Sequence, residues 1–452
     1  MRWGTLQALA ATLVAGVVLA AACAERPPSA EAGAAAEPPA ASLETEGEPP
    51  DPDRWTRVLG MAPEAADLTA RTGSDNRMHI LWTAPDGAGR SLLHAVLDGG
   101  GRPTLIDTIA RGWRTFASPR LEPAGSALTA VFTGDSAGSG VAQVFVHALD
   151  AGAPTRAPGL SGVDPGTGRW ALMAGCCGED AALGFDGDGS VVLASRGSGD
   201  VLRTITALPA DDATFEVPES APAATMPGGR GFAVTGLPAG GVYVVYCAGV
   251  ADCDVIRAWR HGALPNEPSV PIAVVDGARL VAAGAAAGGR LWSAWAGQDS
   301  LHAARSRVED GVLAGGAPNG VALPDGAGEL FSLAVAPVGE GAELLLVARH
   351  RGSLVLWKRR VLPALSVEPP AMPPPLEQDA VLRLFVTDAG EPVAGARVRA
   401  LGTEARSDAR GVVELPLAAG VRTDTLRLVV EARGYAPLHL VFHGARPEGE
   451  PR

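Results

Sequence analysis

Six short apolar segments recur through the middle of this chain at nearly even spacing. They are Ile80-Leu81-Trp82, Ala130-Val131-Phe132, Leu193-Ala194-Ser195, Val244-Val245-Tyr246, Ser293-Ala294-Trp295 and Leu346-Val347-Ala348. Their last residues lie 50, 63, 51, 49 and 53 positions apart. A period of about 50 residues, with several strand-like runs and Gly or Asp turns in each, is typical of a β-propeller. The sequence therefore predicts an all-β fold built from repeated sheets.

Each period can be divided into about four strands. In the first, we predict strands over residues 66–72, 78–83, 92–97 and 104–110, separated by Gly, Asp and Pro. The inner strands are almost uniformly apolar, as expected of strands that are buried on both faces. We predict a six-bladed propeller over residues 55–367, with residues 54–60 supplying the outer strand of the last blade, because closure removes exposed sheet edges.

The charge balance restricts the partners of the chain. Its formal net charge is −13 over 452 residues. Because like charges repel, this balance argues against nucleic acid and against anionic membrane surfaces as partners. Apolar residues make up 47% of the chain, which is sufficient for large cores.

The N-terminus has the pattern of an export signal. Arg2 is followed by an apolar run over residues 6–22 and then by Cys23. The run is Ala-rich and shorter than a membrane-spanning helix, which favours a signal peptide over residues 1–22. Residues 19–23, Leu-Ala-Ala-Ala-Cys, resemble a bacterial lipobox, which implies that Cys23 is lipidated; ordinary signal cleavage beside an incidental cysteine is the alternative.

The segment that follows supports an anchored location. Residues 23–54 are rich in Ala, Pro and Glu and too polar to pack, so we predict a disordered tether. A lipid anchor and a tether together predict a protein of the bacterial cell envelope, at the outer membrane or cell surface, facing an oxidising compartment. Its partner would then be an extracellular or periplasmic ligand.

Four further cysteines suggest two disulfides in such a compartment. Cys247 and Cys253 flank five residues between two strand-like runs, so they could bridge a hairpin. Cys176 and Cys177 could form a vicinal bridge or pair with the other two. Metal binding is disfavoured, because neither CxxC spacing nor a nearby His accompanies them.

One segment of the third period carries a more specific resemblance. It runs from Cys176-Cys177 through Asp186-Gly187-Asp188-Gly189 to a strand ending in Ser195-Arg196, and Arg203 lies on the next strand. The segment resembles one found in bacterial exported sialidase-like propellers. That resemblance implies a propeller of the sialidase superfamily, but the Asp boxes of true sialidases are absent from the sequence.

Arginines are the candidate ligand-binding residues. Arg196 and Arg349 follow matching second strands, so their guanidinium groups could approach the axis and hold an anion. Arg203 is a further candidate. The alternative is that these arginines form salt bridges at the rim or between blades.

Other apparent motifs fit ordinary turns and strands better. Residues 134–138 match G-x-S-x-G, but strands rather than a strand and a helix flank them. Residues 186–189 lack the later acidic ligands of a calcium loop. His439 and His443 would lie about 13 Å apart in a strand, too far to share a metal. We therefore expect no catalytic residue, no metal and no cofactor.

A proline-rich spacer over residues 368–378 marks a domain boundary. Beyond it, residues 388–396, Asp-Ala-Gly-Glu-Pro-Val-Ala-Gly-Ala, form a turn followed by a strand, and residues 408–411 form a tight hairpin turn. These motifs resemble the carboxypeptidase-regulatory-like module. The resemblance implies a transthyretin-like β-sandwich over residues 379–444, followed by a tail over 445–452, and implies no peptidase activity.

The sequence is consistent with two alternative functions. The first is a surface-tethered, non-enzymatic binding or scaffold lipoprotein that engages a glycan or protein ligand on one propeller face. The second is a divergent glycoside hydrolase of the sialidase superfamily. Carboxylates and arginines that converge at the axis distinguish them, because glycoside hydrolysis uses a pair of carboxylates about 5–10 Å apart.

Overall fold

The computed structural model describes residues 54–61, 66–75, 77–98, 103–124, 127–135, 138, 143–149, 171–174, 180–186, 191–196, 202–206, 214–216, 231–249, 253–263, 269–368, 380–417 and 425–443. All of them belong to one compact unit, Leu43–Arg452. They form strands and turns with no helix, which confirms the predicted all-β class. Accordingly, no helix among them could cross a membrane. The signal peptide, Cys23, Cys176, Cys177 and nearly all of the tether and spacer lie outside the described residues.

Six antiparallel sheets follow one another along the chain after strand β1 (Thr56–Met61). The first sheet contains β2 (Ala66–Thr72), β3 (Met78–Asp86), β4 (Gly89–Leu97) and β5 (Pro103–Trp113). The second contains β6 (Thr115–Ala124), β7 (Ala127–Asp135), β8 (Gln143–Ala148) and β9 (Ala171–Ala174). The third contains β10 (Asp180–Phe185), β11 (Val191–Arg196), β12 (Leu202–Thr206) and β13 (Thr214–Glu216).

The next three sheets repeat this order. The fourth contains β14 (Phe232–Gly236), β15 (Val242–Ala248), β16 (Val255–Arg260) and β17 (Val270–Val274). The fifth contains β18 (Leu280–Ala286), β19 (Arg290–Ala296), β20 (Leu301–Glu309), β21 (Val312–Ala314) and β22 (Pro318–Val321). The sixth contains β23 (Leu330–Val338), β24 (Gly341–His350) and β25 (Ser353–Val361), and β1 pairs with β25 as its fourth strand. Successive meanders of this kind support the predicted propeller class.

The first strands of the six sheets are neighbours. In chain order, β2 contacts β6, β6 contacts β10, β10 contacts β14, β14 contacts β18 and β18 contacts β23, while β23 contacts β2. Gly284 shows how close these strands approach, because a Cβ atom there would lie 2.6 Å from the carbonyl oxygen of Val335 on the next first strand. A larger residue would force the two strands apart.

Apolar cores fill the spaces between neighbouring sheets. Buried side chains of the first and second sheets form one such core, and separate cores join the third to the fourth, the fourth to the fifth, the fifth to the sixth and the sixth to the first. Between the first two sheets, the rings of Trp113, Phe116, Phe132 and Phe145 stack or meet edge-on at 4.7 to 5.9 Å. Each such pair adds about 0.5–1.5 kcal/mol beyond simple burial.

The C-terminal residues form two further sheets around their own core. One contains β26 (Ser366–Glu368), β27 (Ala380–Asp388), β28 (Glu391–Pro392) and β31 (Val412–Leu417). The other contains β29 (Arg397–Ala400), β30 (Thr403–Arg406), β32 (Thr425–Glu431) and β33 (Leu438–His443). Buried and exposed residues alternate along β29 and β31, as expected of sheets with one buried face. Residues 366–368 belong to the first of these two sheets, because β26 pairs with β27.

Candidate functional site

Arg349 lies at the end of the second strand of the sixth sheet and reaches toward the first strand. Its side chain is 43% exposed. Its Nη2 donates a long hydrogen bond of 3.5 Å to Oε2 of Glu329, and its guanidinium carbon lies 5.2 Å from the ring centre of Phe331 on β23. The aromatic face and the weak carboxylate contact hold the guanidinium in place while leaving it open to solvent.

Arg196 occupies the equivalent position in the third sheet. It follows Leu193, which pairs with Leu183, by three residues, just as Arg349 follows Leu346 by three. Its backbone pairs with that of Asp180, while Arg203 lies on β12 opposite Ser195 and Glu216. The backbone thus places Arg196 and Arg349 at matching ends of second strands. For Arg196 and Arg203 the structure describes the backbone only, not the side chain.

The same position in the fourth sheet carries a cysteine. Cys247 follows Val244 by three residues, and its sulfur lies 2.00 Å from that of Cys253, with Cα atoms 5.4 Å apart. This is the bridge that the sequence suggested for these two residues. It closes the loop between β15 and β16, so it fixes the chain at the end of the sheet where the equivalent arginines lie.

A buried ion cluster, which sequence reasoning missed, joins first strands. Arg71 on β2 donates from Nη1 to Oε2 of Glu122 at 2.8 Å and to the carbonyl oxygen of Leu121 at 3.1 Å. Arg120 donates from Nη1 to the carbonyl oxygen of Phe232 at 2.8 Å and lies over its ring. Since these residues belong to β2, β6 and β14, the cluster links the first, second and fourth sheets. We call Arg71, Arg120 and Glu122 the axial cluster.

Glu122 is the titratable member of the axial cluster. It is only 5% exposed. Burial raises its pKa to about 7, although the charges of Arg71 and Arg120 and the hydrogen bond from Arg71 act in the opposite direction. Its carboxyl group therefore changes protonation near neutral pH, which is a property of many catalytic acids.

The chemistry open to the axial cluster is limited by its partners. Arg71 and Glu122 bond to each other, and both arginines donate to backbone carbonyl groups. Among first-strand residues whose side chains the structure describes, Glu122 is the only carboxylate. In the described part of the chain, moreover, no three His, Cys, Asp or Glu residues are arranged to hold a metal.

No family model matches the chain, and no curated protein matches it. Among solved structures, it is similar to the GH43 endo-arabinanase from Bacillus licheniformis, at 13% identity and TM-score 0.32 over 55% of this chain and 96% of that one. An α-L-arabinofuranosidase from Fusarium graminearum gives 10% identity and TM-score 0.39 over 68% and 96%. The SapL1 lectin, in complex with α-methyl fucoside, gives 11% identity and TM-score 0.32 over 74% and 97%. At these TM-scores the similarities carry no argument about function.

Proposed function

We propose that the chain is an envelope-anchored, non-enzymatic binding protein that holds an acidic glycan on one face of a six-bladed propeller. The observation that carries the proposal is the solvent-exposed guanidinium of Arg349, which packs against the ring of Phe331 on β23, the first strand of the sixth sheet. A guanidinium group pairs with a carboxylate through two parallel hydrogen bonds, and it retains its charge at all physiological pH values.

The circuit of first-strand contacts supports closure into six blades. Each first strand contacts the next, β23 contacts β2, and β1 completes the sixth sheet from the other end of the repeat region. In a closed propeller of equivalent blades, equivalent strand positions lie on one face. Arg196 and Arg349 then share a face, and an acidic glycan could contact both. The C-terminal sheets, which share one core, fit the β-sandwich that the sequence predicts.

The bonding of Glu122 supports binding over hydrolysis. Its raised pKa would suit a general acid, but the Oε2 atom accepts from Arg71 and the residue is buried. A glycosidase needs a carboxyl group that reaches the scissile bond. The axial cluster is better explained as a link between sheets.

A glycan array tests this function. We expect the mature chain to retain carboxylate-bearing glycans and Arg349→Gln to retain them at least about tenfold less, because one charge-assisted bidentate pair contributes about 1.5–3 kcal/mol. Arg360→Gln is the matched control, since Arg360 is an exposed arginine on β25 of the same sheet. Retention of no glycan, or equal loss in both variants, would contradict the proposal.

Anchoring through Cys23 belongs to the same proposal and rests on the sequence. A fatty-acid probe should label the wild-type chain in cells and leave Cys23→Ala unlabelled. Equal labelling of both would show that Cys23 is not the acceptor.

A further inference from the structure

The outer face of the second C-terminal sheet carries several arginines. Residues that pair directly across neighbouring strands lie on the same face of a sheet, and Arg397 on β29 pairs with Arg406 on β30 and with Glu431 on β32. The opposite face packs into the core of the module. The described side chains on the outer face are Arg397, Arg399, Glu404, Arg406, Arg427, Val429, Glu431, His439 and Val441. We call its four arginines the arginine face.

The arginine face has more positive than negative charge, since four guanidinium groups share it with two carboxylates. Two ion pairs are present, Arg399 with Glu431 at 2.6 Å and Arg397 with Glu404 at 3.8 Å. Arg406 and Arg427 are exposed and form no ion pair with any residue that the structure describes. Arg406 also lies directly opposite Arg397, where like charges repel. This surface therefore suits an anionic partner.

An acidic segment of the same chain lies before the first described strand. Residues 44–53, Glu-Thr-Glu-Gly-Glu-Pro-Pro-Asp-Pro-Asp, contain five carboxylates and no basic residue. The rest of the predicted tether, residues 23–43, contains only three carboxylates and also Arg26. The negative charge of the tether is thus concentrated next to the folded part of the chain, and it complements the charge of the arginine face.

The start of the described chain is directed toward the C-terminal module. Strand β1 is antiparallel to β25, with Thr56 opposite Lys358. Going backwards from Thr56, the chain therefore follows the direction in which β25 continues to Pro363. The carbonyl oxygen of Pro363 accepts a hydrogen bond of 3.0 Å from the backbone N–H of Ala436. Ala436 lies three residues before His439, at the edge of the sheet that carries the arginine face.

The module is held in place, and the acidic segment is long enough to cross its sheet. Nη2 of Arg305 on β20 donates to Oδ2 of the buried Asp388 at 2.5 Å, which joins the module to the fifth sheet. Ten extended residues span about 33 Å, whereas four strands spaced about 4.8 Å apart are only about 14 Å wide. Residues 44–53 can therefore span the sheet with about 19 Å left for the approach.

We propose that residues 44–53 bind across the arginine face of the same chain, with their carboxylates paired to Arg406 and Arg427. Each exposed ion pair contributes only about 0–1 kcal/mol, but the short connection to β1 raises the effective concentration of the segment to about the millimolar range. The contact is electrostatic and open to solvent, so salt weakens it. It leaves residues 23–43 as the remaining spacer, and the arginine face is then open only to anions that displace the segment.

This inference is independent of the proposed function. It concerns the second sheet of the C-terminal module and involves neither the candidate arginines of the propeller nor lipidation of Cys23. Arg349→Gln should leave the contact unchanged, so failure of one proposal does not decide the other.

Modification of arginine side chains by phenylglyoxal, followed by peptide mapping of the mature chain, tests the contact. The test variant is Glu44→Gln/Glu46→Gln/Glu48→Gln. The matched control, Glu25→Gln/Glu31→Gln/Glu37→Gln, removes the same number of charges from the other part of the tether. Arg383 is the internal reference, because it is exposed on the other sheet of the same module.

We expect Arg406 and Arg427 to react at least about threefold more slowly in the wild type and in the control than in the test variant at low salt. In about 0.5 M sodium chloride the three proteins should react alike, because the charges are then screened over a few ångströms. Arg383 should react at one rate in all three proteins.

Equal rates at Arg406 and Arg427 in the wild type and the test variant at low salt would overturn the proposal. Equal acceleration in both variants would also overturn it, since residues 44–53 would then have no special role. Protection that persists in high salt would contradict an electrostatic contact. Protection that grows with protein concentration would show that a second copy supplies the acidic segment, and would overturn binding within one chain.

Discussion

Arg71 on β2 and Glu122 on β6 occupy equivalent positions of their first strands, and two other sheets have glycine at this position. The equivalent residues of the third and fifth sheets are Gly184 and Gly284, as the pairing of each first strand with its second strand shows. At Gly184 a Cβ atom would lie 2.7 Å from a methyl group of Val234. Where other sheets approach each other through glycine, the first and second sheets are joined by a charged pair instead.

The raised pKa of Glu122 makes stability depend on pH. The unfolded carboxyl group titrates near 4.5, whereas the folded one titrates at about 7. Between these values the folded chain keeps a proton that the unfolded chain has released. The free energy of unfolding therefore falls as pH rises through this window, by at most ~1.4 kcal/mol per pH unit.

We expect Glu122→Gln to remove this pH-dependent contribution to the free energy of unfolding. Urea unfolding at a series of pH values measures the free energy of unfolding of both proteins. The difference, wild type minus Glu122→Gln, should decline from about pH 5 to pH 7 and level off above about pH 8. Glu414→Gln, at an exposed glutamate of the C-terminal module, should show no such trend. A difference that rises with pH would mean that Arg71 dominates over burial and lowers the pKa.

At this scale the sequence predicts local pairs better than distant ones. Cys247 and Cys253 are six residues apart on one hairpin, so their spacing alone brings them within reach. The equivalent positions of Arg196 and Arg349 follow from the repeat. Arg71 and Glu122 are 51 residues apart, and only the arrangement of the sheets brings them together. Asp388 and Arg305 belong to different modules, and no sequence pattern links them.

Strands were predictable where burial is continuous. Every residue of β15 except the last is buried, and the apolar run that reveals it in the sequence is correspondingly uninterrupted. The strand predicted over residues 78–83 is present, although β3 extends to Asp86. The short segment before the first period also forms the expected outer strand, since β1 pairs with β25.

Outer strands were harder to predict because they are short and partly exposed. β17 contains Pro271 and ends at Val274, which is 87% exposed, so neither composition nor alternation distinguishes it from a loop. Its pairing with β16 is irregular as well. Such strands form because a neighbouring strand presents a free edge, which is tertiary information that the segment itself does not contain.

At the scale of the whole molecule, the even repeat predicts successive sheets, and contacts between first strands join each sheet to its neighbours. Contact between the modules was not predictable in the same way. The proline-rich spacer indicates a domain boundary, whereas a buried ion pair between Arg305 and Asp388 and a second pair between Arg290 and Glu391 attach the module to the fifth sheet. Removing one partner of a buried ion pair typically costs about 3–5 kcal/mol, so this contact restricts the orientation of the module.

We propose that the propeller face binds an acidic glycan without cleaving it. The most direct measurement is mass spectrometry of a retained glycan, recovered after incubation with the mature chain, with Arg349→Gln and with Glu122→Gln. We predict that the wild type and Glu122→Gln both release the glycan with unchanged mass, and that Arg349→Gln retains little of it. A shorter product formed by the wild type and not by Glu122→Gln would contradict the account and identify Glu122 as a catalytic acid.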